Sequence, residues 1–283
     1  MNSWPGEKRI ALSLVVNVEE GAERSVARGD KGMEPVDELG MVVKDAIRSY
    51  PNESNYRFGI QVGAKRVLGL LDKHGVPATW TVCGQALEAA PWLGKAISAR
   101  GDEAASHGYR WQFQFRMNEA EERAFIAHST ETIEQATGQR PCGWLSRYLT
   151  TDNTRRLLAE AGYAYHMDDF SAEWPFMDEG GLPIVVLPYQ LDTNDMKMWS
   201  NAAYTPRQWL DYLIDSIDFL HDTAEAPVMM SVGMHLRIIG RPGRAPMLDR
   251  FLGHVATLPD VWVARRDAIA AHFRATVQAD DQP

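Results

Sequence analysis

The stretch Ile10-Ala-Leu-Ser-Leu-Val-Val-Asn-Val18 is followed directly by Glu19-Glu20-Gly21. The nine residues are almost all apolar or β-branched, which predicts a strand. Two carboxylates stand at its carboxyl end. The rest of the chain repeats this pattern, because short β-rich runs that end in polar residues alternate with segments of helical periodicity.

Seven further runs are strand candidates: Ala78–Val82, Glu103–Ser106, Gly143–Ser146, Ala164–Asp168, Ile184–Leu187, Val228–Met234 and Val261–Arg265. Two long helices have recognisable starts, since Asn118 with Glu121 and Thr205-Pro206 with Gln208 form capping patterns. No linker rich in Pro, Gly or Ser divides the chain. Eight strands that alternate with about seven helices predict one α/β barrel domain over residues 1–283 rather than two domains.

Composition excludes several classes of function. The 283 residues are 45% hydrophobic and 24% charged, and the formal net charge is -9. A negative net charge opposes binding to phosphate backbones and anionic membranes, so we expect neither nucleic acid nor membrane as a partner. Residues 1–9 contain no apolar signal core and predict a short N-terminal arm. The two cysteines, Cys83 and Cys142, form no CxxC pair, which favours a cytoplasmic location.

Polar residues at the strand ends are the candidate site, because barrel enzymes place their chemistry there. Successive side chains of a strand point to opposite faces, so only one of Glu19 and Glu20 can face the barrel interior fully. The pattern does not decide which. His107 follows the third strand, and His235 ends the run that begins at Val228 and precedes Arg237. The plainer interpretation is a solvated acidic loop with hydrogen-bonded core histidines.

A carboxylate with two histidines suits two kinds of hydrolysis. In one, the residues hold a divalent metal that acidifies water. In the other, the carboxylate is a general base and a histidine is the general acid. His107 has no second histidine three to five residues later, where Trp111 stands instead. We therefore expect no cofactor, and the alternative is a divalent metal such as zinc held by Glu20 and His107.

The order of these motifs resembles the polysaccharide deacetylase family, and within it the bacterial allantoinase branch. Six stretches carry the resemblance: Asn17–Gly21, Gly75–Thr79, Ala105–Gly108, Asn118–Arg123, Leu187–Met196 and Ser231–Arg244. The resemblance implies a distorted (β/α) barrel with seven or eight strands. It also implies a homo-oligomer, a dimer or tetramer.

The sequence departs from the zinc-binding deacetylases of this family, which carry an Asp pair and a His-x-x-x-His motif. Here the acids are Glu19 and Glu20, and Trp111 replaces the second histidine. The allantoinase branch shares the Glu-Glu-Gly motif. The resemblance thus implies that Glu20 or Glu19 removes a proton from water and His235 protonates the leaving nitrogen. His107 and Trp111 would position the water and the carbonyl.

The remaining candidate residues are expected to bind a small substrate. Arg147, Asp192 and Asn194 are expected at its polar rim, and Tyr56 and Phe58, from a long pocket loop over residues 21–60, are expected to cover it. The predicted function is hydrolysis of a non-peptide C–N bond in a small cyclic amide, ureide or imide, with allantoin as the first example. Two alternatives stay open: a metal-dependent deacetylase of an N-acetylated sugar or peptidoglycan fragment, and a barrel that only binds or assembles.

Overall fold

The apolar run Ile10–Val18 is strand β1 in the computed structural model, which describes residues 3–34, 45–199 and 203–280. Every residue of β1 is buried. The other strands are β2 (Thr79–Val82), β3 (Glu103–Ser106), β4 (Gly143–Trp144), β5 (Tyr165–His166), β6 (Phe176–Met177), β7 (Val185–Val186), β8 (Val228–His235) and β9 (Val261–Val263). Seven of the eight predicted runs contain one of these strands, and the run Val228–Met234 ends one residue before β8 does. The short β6 was missed, because Pro175 and Asp178 flank its two residues and no longer β-rich run surrounds them.

The strands form one curled sheet in the order β6-β7-β5-β4-β3-β2-β1-β8, with β9 paired to the first half of β1. The pairs are parallel except for β6 with β7. Between β7 and β8 no strand ladder occurs in the described part of the chain. Side chains bridge this gap instead: Ser231 N donates to Gln190 Oε1 over 2.6 Å, and Thr193 Oγ1 donates to Ser231 O over 2.6 Å. The single-domain distorted barrel is confirmed.

The helices cover the outside of the sheet. They are α1 (Tyr50–Phe58), α2 (Ala64–His74), α3 (Gly84–Ala89), α4 (Pro91–Arg100), α5 (Glu119–Thr137), α6 (Thr154–Glu160), α7 (Pro206–Thr223), α8 (Leu236–Ile239), α9 (Ala245–Val255) and α10 (Arg266–Asp280). Both predicted capping boxes are present, at Asn118 for α5 and at Thr205 for α7. Within the described ranges, every helix is too short or too polar to cross a bilayer.

The two segments that flank β1, the predicted arm 1–9 and the predicted loop 21–60, are more ordered than simple loops in their described residues. In the predicted arm 1–9, the Trp4 side chain is buried and its indole nitrogen donates to Val228 O over 2.8 Å. This bond fastens the arm across the base of the barrel. The predicted loop 21–60 contains α1, which continues through a π-helical turn (Gly59–Gly63) into α2. Residues 35–44 of that loop lie outside the described residues.

Candidate active site

A cavity of about 580 Å³ opens at the carboxyl ends of the strands. Parallel strands bring their carboxyl ends to one edge, which is why residues far apart in sequence meet there. The residues that line the cavity are Asn17, Glu19, His107, Trp111, Leu145, Ser146, Arg147, Tyr148, Thr150, Asp168, Phe170, Tyr189, Leu191, Asn194 and His235. Six of the residues predicted from the sequence therefore meet in one cavity: Glu19, His107, Trp111, Arg147, Asn194 and His235.

Glu19 lies at the centre of the polar cluster and is 1% exposed. Its Oε1 is 3.5 Å from Nε2 of His107 and 3.5 Å from Nε2 of His235. Its Oε2 accepts a hydrogen bond from Arg237 Nη1 over 2.8 Å. Burial alone would raise the pKa of Glu19, but the charges of Arg237 and His235 outweigh it and hold that pKa well below its usual range. Glu19 is therefore ionised at neutral pH.

His107 is held in one tautomer by the backbone. Its Nδ1 is 2.6 Å from the carbonyl oxygen of Leu145. A carbonyl oxygen can only accept, so Nδ1 carries the proton of the neutral ring. The lone pair of Nε2 is then free to accept, beside Oε1 of Glu19.

His235 is held by a carboxylate that the sequence analysis did not single out. Asp195 Oδ1 is 2.7 Å from His235 Nδ1, and its Oδ2 accepts from the backbone N of the same histidine over 2.8 Å. Burial lowers the pKa of His235, but the carboxylates of Glu19 and Asp195 outweigh it and raise that pKa to about 10. Asp195 lies in the motif Leu187–Met196 that carried the resemblance, and it also belongs to the polar segment that follows the strand candidate Ile184–Leu187.

Glu20 is buried behind the cavity rather than in it. Its Oε2 accepts from Glu19 N over 3.2 Å, and its Oε1 accepts from Arg237 N over 3.0 Å. Burial and the charge of Glu19 outweigh the charge of Arg237 and raise the pKa of Glu20 to about 7. Of the two candidate carboxylates, Glu19 is the one that faces the cavity.

Arg147 and Trp111 form one wall of the cavity. The Arg147 guanidinium carbon lies 3.7 Å from the centre of the Trp111 ring, and Nη1 donates to the carbonyl oxygen of Trp111 over 2.7 Å. Arg147 Nη2 also donates to Glu34 Oε1 over 2.5 Å, and both side chains are buried. The Glu34 carboxylate thus largely offsets the charge of Arg147 within the protein. We interpret Arg147 as a part of the cavity wall that presents polar atoms.

Three predicted substrate-binding residues lie outside the cavity. Asp192 is exposed and accepts a hydrogen bond from Tyr212 OH over 2.7 Å, because the loop after β7 turns its side chain toward α7. Tyr56 is buried under Arg237, whose guanidinium carbon is 4.6 Å from the ring centre. The Phe58 ring, at the end of α1, stacks at 3.6 Å against the guanidinium of Arg241. Helix α1 directs both rings toward α8 and not over the cavity.

A divalent metal between Glu19 and His107 does not fit this arrangement. One oxygen of Glu19 is taken by Arg237, and the other is shared by two imidazoles. The second imidazole of a zinc motif is replaced by Trp111, which is 4% exposed and offers no lone pair. A dication would also stand beside Arg237 and a protonated His235. Glu20, the alternative ligand, has both oxygens directed to backbone N–H groups.

One other group in the described residues brings metal-type ligand atoms close together. It consists of Glu103, Cys142 and Asp267, and the strand register places Glu103 at the level of Val15 in β1. The Glu103 oxygens already accept hydrogen bonds from Tyr165 OH over 2.7 Å and Thr79 Oγ1 over 2.8 Å. This group is accounted for by packing.

Known proteins resemble this chain over nearly its whole length. The sequence model for polysaccharide deacetylase matches residues 58–166. A Schizosaccharomyces pombe protein named "Putative polysaccharide deacetylase" is 32% identical over 300 residues, which cover 97% of this chain and 93% of that protein. A probable polysaccharide deacetylase from Pseudomonas aeruginosa PAO1 is 38% identical with a TM-score of 0.90, and PuuE allantoinase is 38% identical with a TM-score of 0.91. In both structures, the match covers 96% of this chain and 93% of the other.

Proposed function

Because the chain belongs to the polysaccharide deacetylase family, we propose that it hydrolyses a non-peptide C–N bond, and that its substrate is a small cyclic amide, ureide or imide. One observation carries the proposal. An ionised Glu19 lies 3.5 Å from the Nε2 atoms of both His107 and His235, at the end of a cavity whose described residues offer no fitting metal position. This is the arrangement that acid–base hydrolysis without a metal requires.

The attacking water is activated by acceptors on one side of the cavity. A water beside Glu19 and His107 can donate one proton to Oε1 and one to Nε2, which leaves a lone pair for the substrate carbonyl. As the oxygen–carbon bond forms, Glu19 takes the proton. The positive groups that keep Glu19 ionised also weaken it as a base. After the leaving group has taken the proton of His235, Glu19 can pass its own proton to His235 directly, because Oε1 lies 3.5 Å from His235 Nε2.

His235 is the proton donor to the leaving nitrogen. The carboxylates of Glu19 and Asp195 keep the imidazole protonated, and the contact of Asp195 with Nδ1 directs Nε2 toward the cavity. An amide or ureide nitrogen becomes strongly basic as its C–N bond breaks, so an acid with a pKa of about 10 can protonate it. The bond to carbon is replaced by a bond to hydrogen, and the products are a carboxylic acid and a free N–H group.

The burial of the reactive groups supports a small substrate. Glu19, His107 and His235 are each exposed by 5% or less, so a five- or six-membered ring reaches them more readily than a polymer chain does. The likeness to PuuE allantoinase over 96% of the chain makes allantoin the first substrate to test. The relatives named as deacetylases support the second candidate, which is acetate removal from an N-acetylated sugar.

Parallel assays distinguish the two candidates. Purified protein is incubated with allantoin, hydantoin, succinimide and dihydrouracil, and loss of the ring is followed by chromatography. Acetate release from N-acetylglucosamine oligomers is measured in the same preparation, with and without added zinc. Ring opening with no acetate is the expected result. Zinc-stimulated acetate release with no ring opening would establish the deacetylase instead.

A further inference from the structure

Glu20 joins the two loops that carry the reactive groups. Strands β1 and β8 run side by side, with Asn17 opposite His235. Just beyond this pair, one Glu20 oxygen accepts from the backbone N of Glu19 and the other accepts from the backbone N of Arg237. The same carboxylate is 3.5 Å from Arg237 Nη1. A single buried group therefore contacts both the residue before it and the arginine that holds Glu19.

We propose that Glu20 is a positioning residue, which fixes Arg237 against Glu19 and so holds the catalytic carboxylate in its reactive orientation. Glu20 does not line the cavity and would not touch substrate. The inference rests on the proposed role of Glu19 as the base. It assigns the two carboxylates of the motif different tasks: one reacts, and the other orients.

The surrounding fold is shaped to hold Glu20 in this place. A Cβ atom at Gly59 would lie 2.6 Å from Glu20 Oε1, so this position in the π-helical turn accommodates the carboxylate only as glycine. The backbone at Gly59 has helical angles, so alanine there would add bulk without backbone strain. The Tyr56 ring also packs against the Arg237 guanidinium. Arg237 is thus in contact with both an aromatic face and the Glu20 carboxylate.

A change of Glu20 to glutamine tests the two hydrogen bonds. A carboxylate offers an acceptor to each backbone N–H, whereas an amide offers one oxygen and one N–H₂ group. One of the two backbone donors, Glu19 N or Arg237 N, would then face another donor. We expect kcat to fall roughly 10-fold to 100-fold, since displacement of a reactive group by about 1 Å has effects of this size. KM should stay within about 2-fold, because the cavity lining is unchanged.

Two further variants separate positioning from a general structural role. Gly59→Ala keeps the Glu20 carboxylate but displaces it, and it should reproduce the fall in kcat. It also carries the test if Glu20→Gln does not fold. Glu23→Gln is the matched control, because Glu23 is a buried carboxylate of the same loop that bonds Gly21 N and Arg28. Its kcat and KM should equal those of the wild type.

A spectroscopic readout is independent of the substrate. In nitrogen-15 NMR spectra, the backbone amides of Glu19 and Arg237 and the Arg237 side-chain signal should shift in Glu20→Gln and in Gly59→Ala, but not in Glu23→Gln. If the wild type opens none of the rings, the proposed function fails while these signals still decide the positioning role. Wild-type kcat in both variants, or an Arg237 side-chain signal that does not move, would overturn the inference.

Discussion

Replacement of Asp195 by asparagine should leave much of His235 without its transferable proton at alkaline pH. The oxygen of the new side-chain amide would keep the hydrogen bond from His235 N, which Asp195 now accepts over 2.8 Å. The amide N–H₂ would then face His235 Nδ1, where a carboxylate oxygen lies now at 2.7 Å. Because that group donates, Nδ1 must accept, and the proton of the neutral ring moves to Nε2.

The size of the effect follows from the hydrogen bond that is lost. A hydrogen bond to a charged group contributes about 1.5–3 kcal/mol, which corresponds to a pKa about one to two units lower for His235. The wild-type imidazole, with a pKa of about 10, is protonated at pH 9. In the variant, much of it is neutral at that pH and in the reversed tautomer. We expect kcat/KM at pH 9 to fall roughly 2-fold to 10-fold, which is the factor by which the protonated fraction of His235 decreases.

The assay compares kcat/KM for ring opening at pH 6 and pH 9, and nitrogen-15 NMR of the histidine side chains reports the tautomer. The loss should be larger at pH 9. Asp192→Asn is the matched control, because Asp192 is an exposed carboxylate three residues earlier that bonds only Tyr212 in the described structure. It should behave as wild type. An Asp195→Asn enzyme with wild-type kcat/KM at both pH values, and with His235 still cationic at pH 9, would refute the reasoning.

Three other outcomes are expected. Glu19→Gln should lower kcat at least about 100-fold, because the proposed base is lost. It should also lower the unfolding free energy by about 3 kcal/mol, because a buried Arg237 loses its charged partner. Kinetics measures the first effect and urea titration the second. Dialysis against a chelator should leave the ring-opening rate unchanged while elemental analysis verifies metal removal, and a rate restored only by zinc would contradict the metal-free arrangement. The unfolding free energy should decrease as pH rises from about 6.5 to about 10, since the native state keeps the His235 proton over that interval and the unfolded chain releases it. Chemical denaturation at several pH values measures this slope, which His235→Gln should flatten; an unchanged slope would exclude His235 as its source.

The sequence predicted the edge of the sheet where the site lies, for a simple geometric reason. Parallel strands align their carboxyl ends, so polar residues after β1, β3 and β8 converge without any knowledge of the loops. Glu19, His107 and His235 were found in this way. The burial of β1 was equally readable, because its residues are almost all apolar.

What the sequence could not provide was the path of the loops. Asp192 and Asp195 are three residues apart in one motif, yet the first is exposed and the second binds His235. No periodicity distinguishes them, because the segment between β7 and α7 is irregular apart from a short turn. The choice between Glu19 and Glu20 could not be made from the sequence either. It depends on the position of Arg237, which follows β8 and lies more than two hundred residues later in the chain.

The charges around the cavity favour a neutral substrate over an ionic one. Each of three buried cations has a buried carboxylate partner: Arg147 with Glu34, Arg237 with Glu19, and His235 with Asp195. The cavity therefore presents little uncompensated positive charge, and Asp168 adds a further carboxyl group to its lining. The proposed hydrolysis of a neutral ring would create a carboxylate beside an ionised Glu19, where these three cations already have partners. Under this proposal the site would bind the substrate without charge attraction and disfavour the ionised product, which would promote release after each turnover.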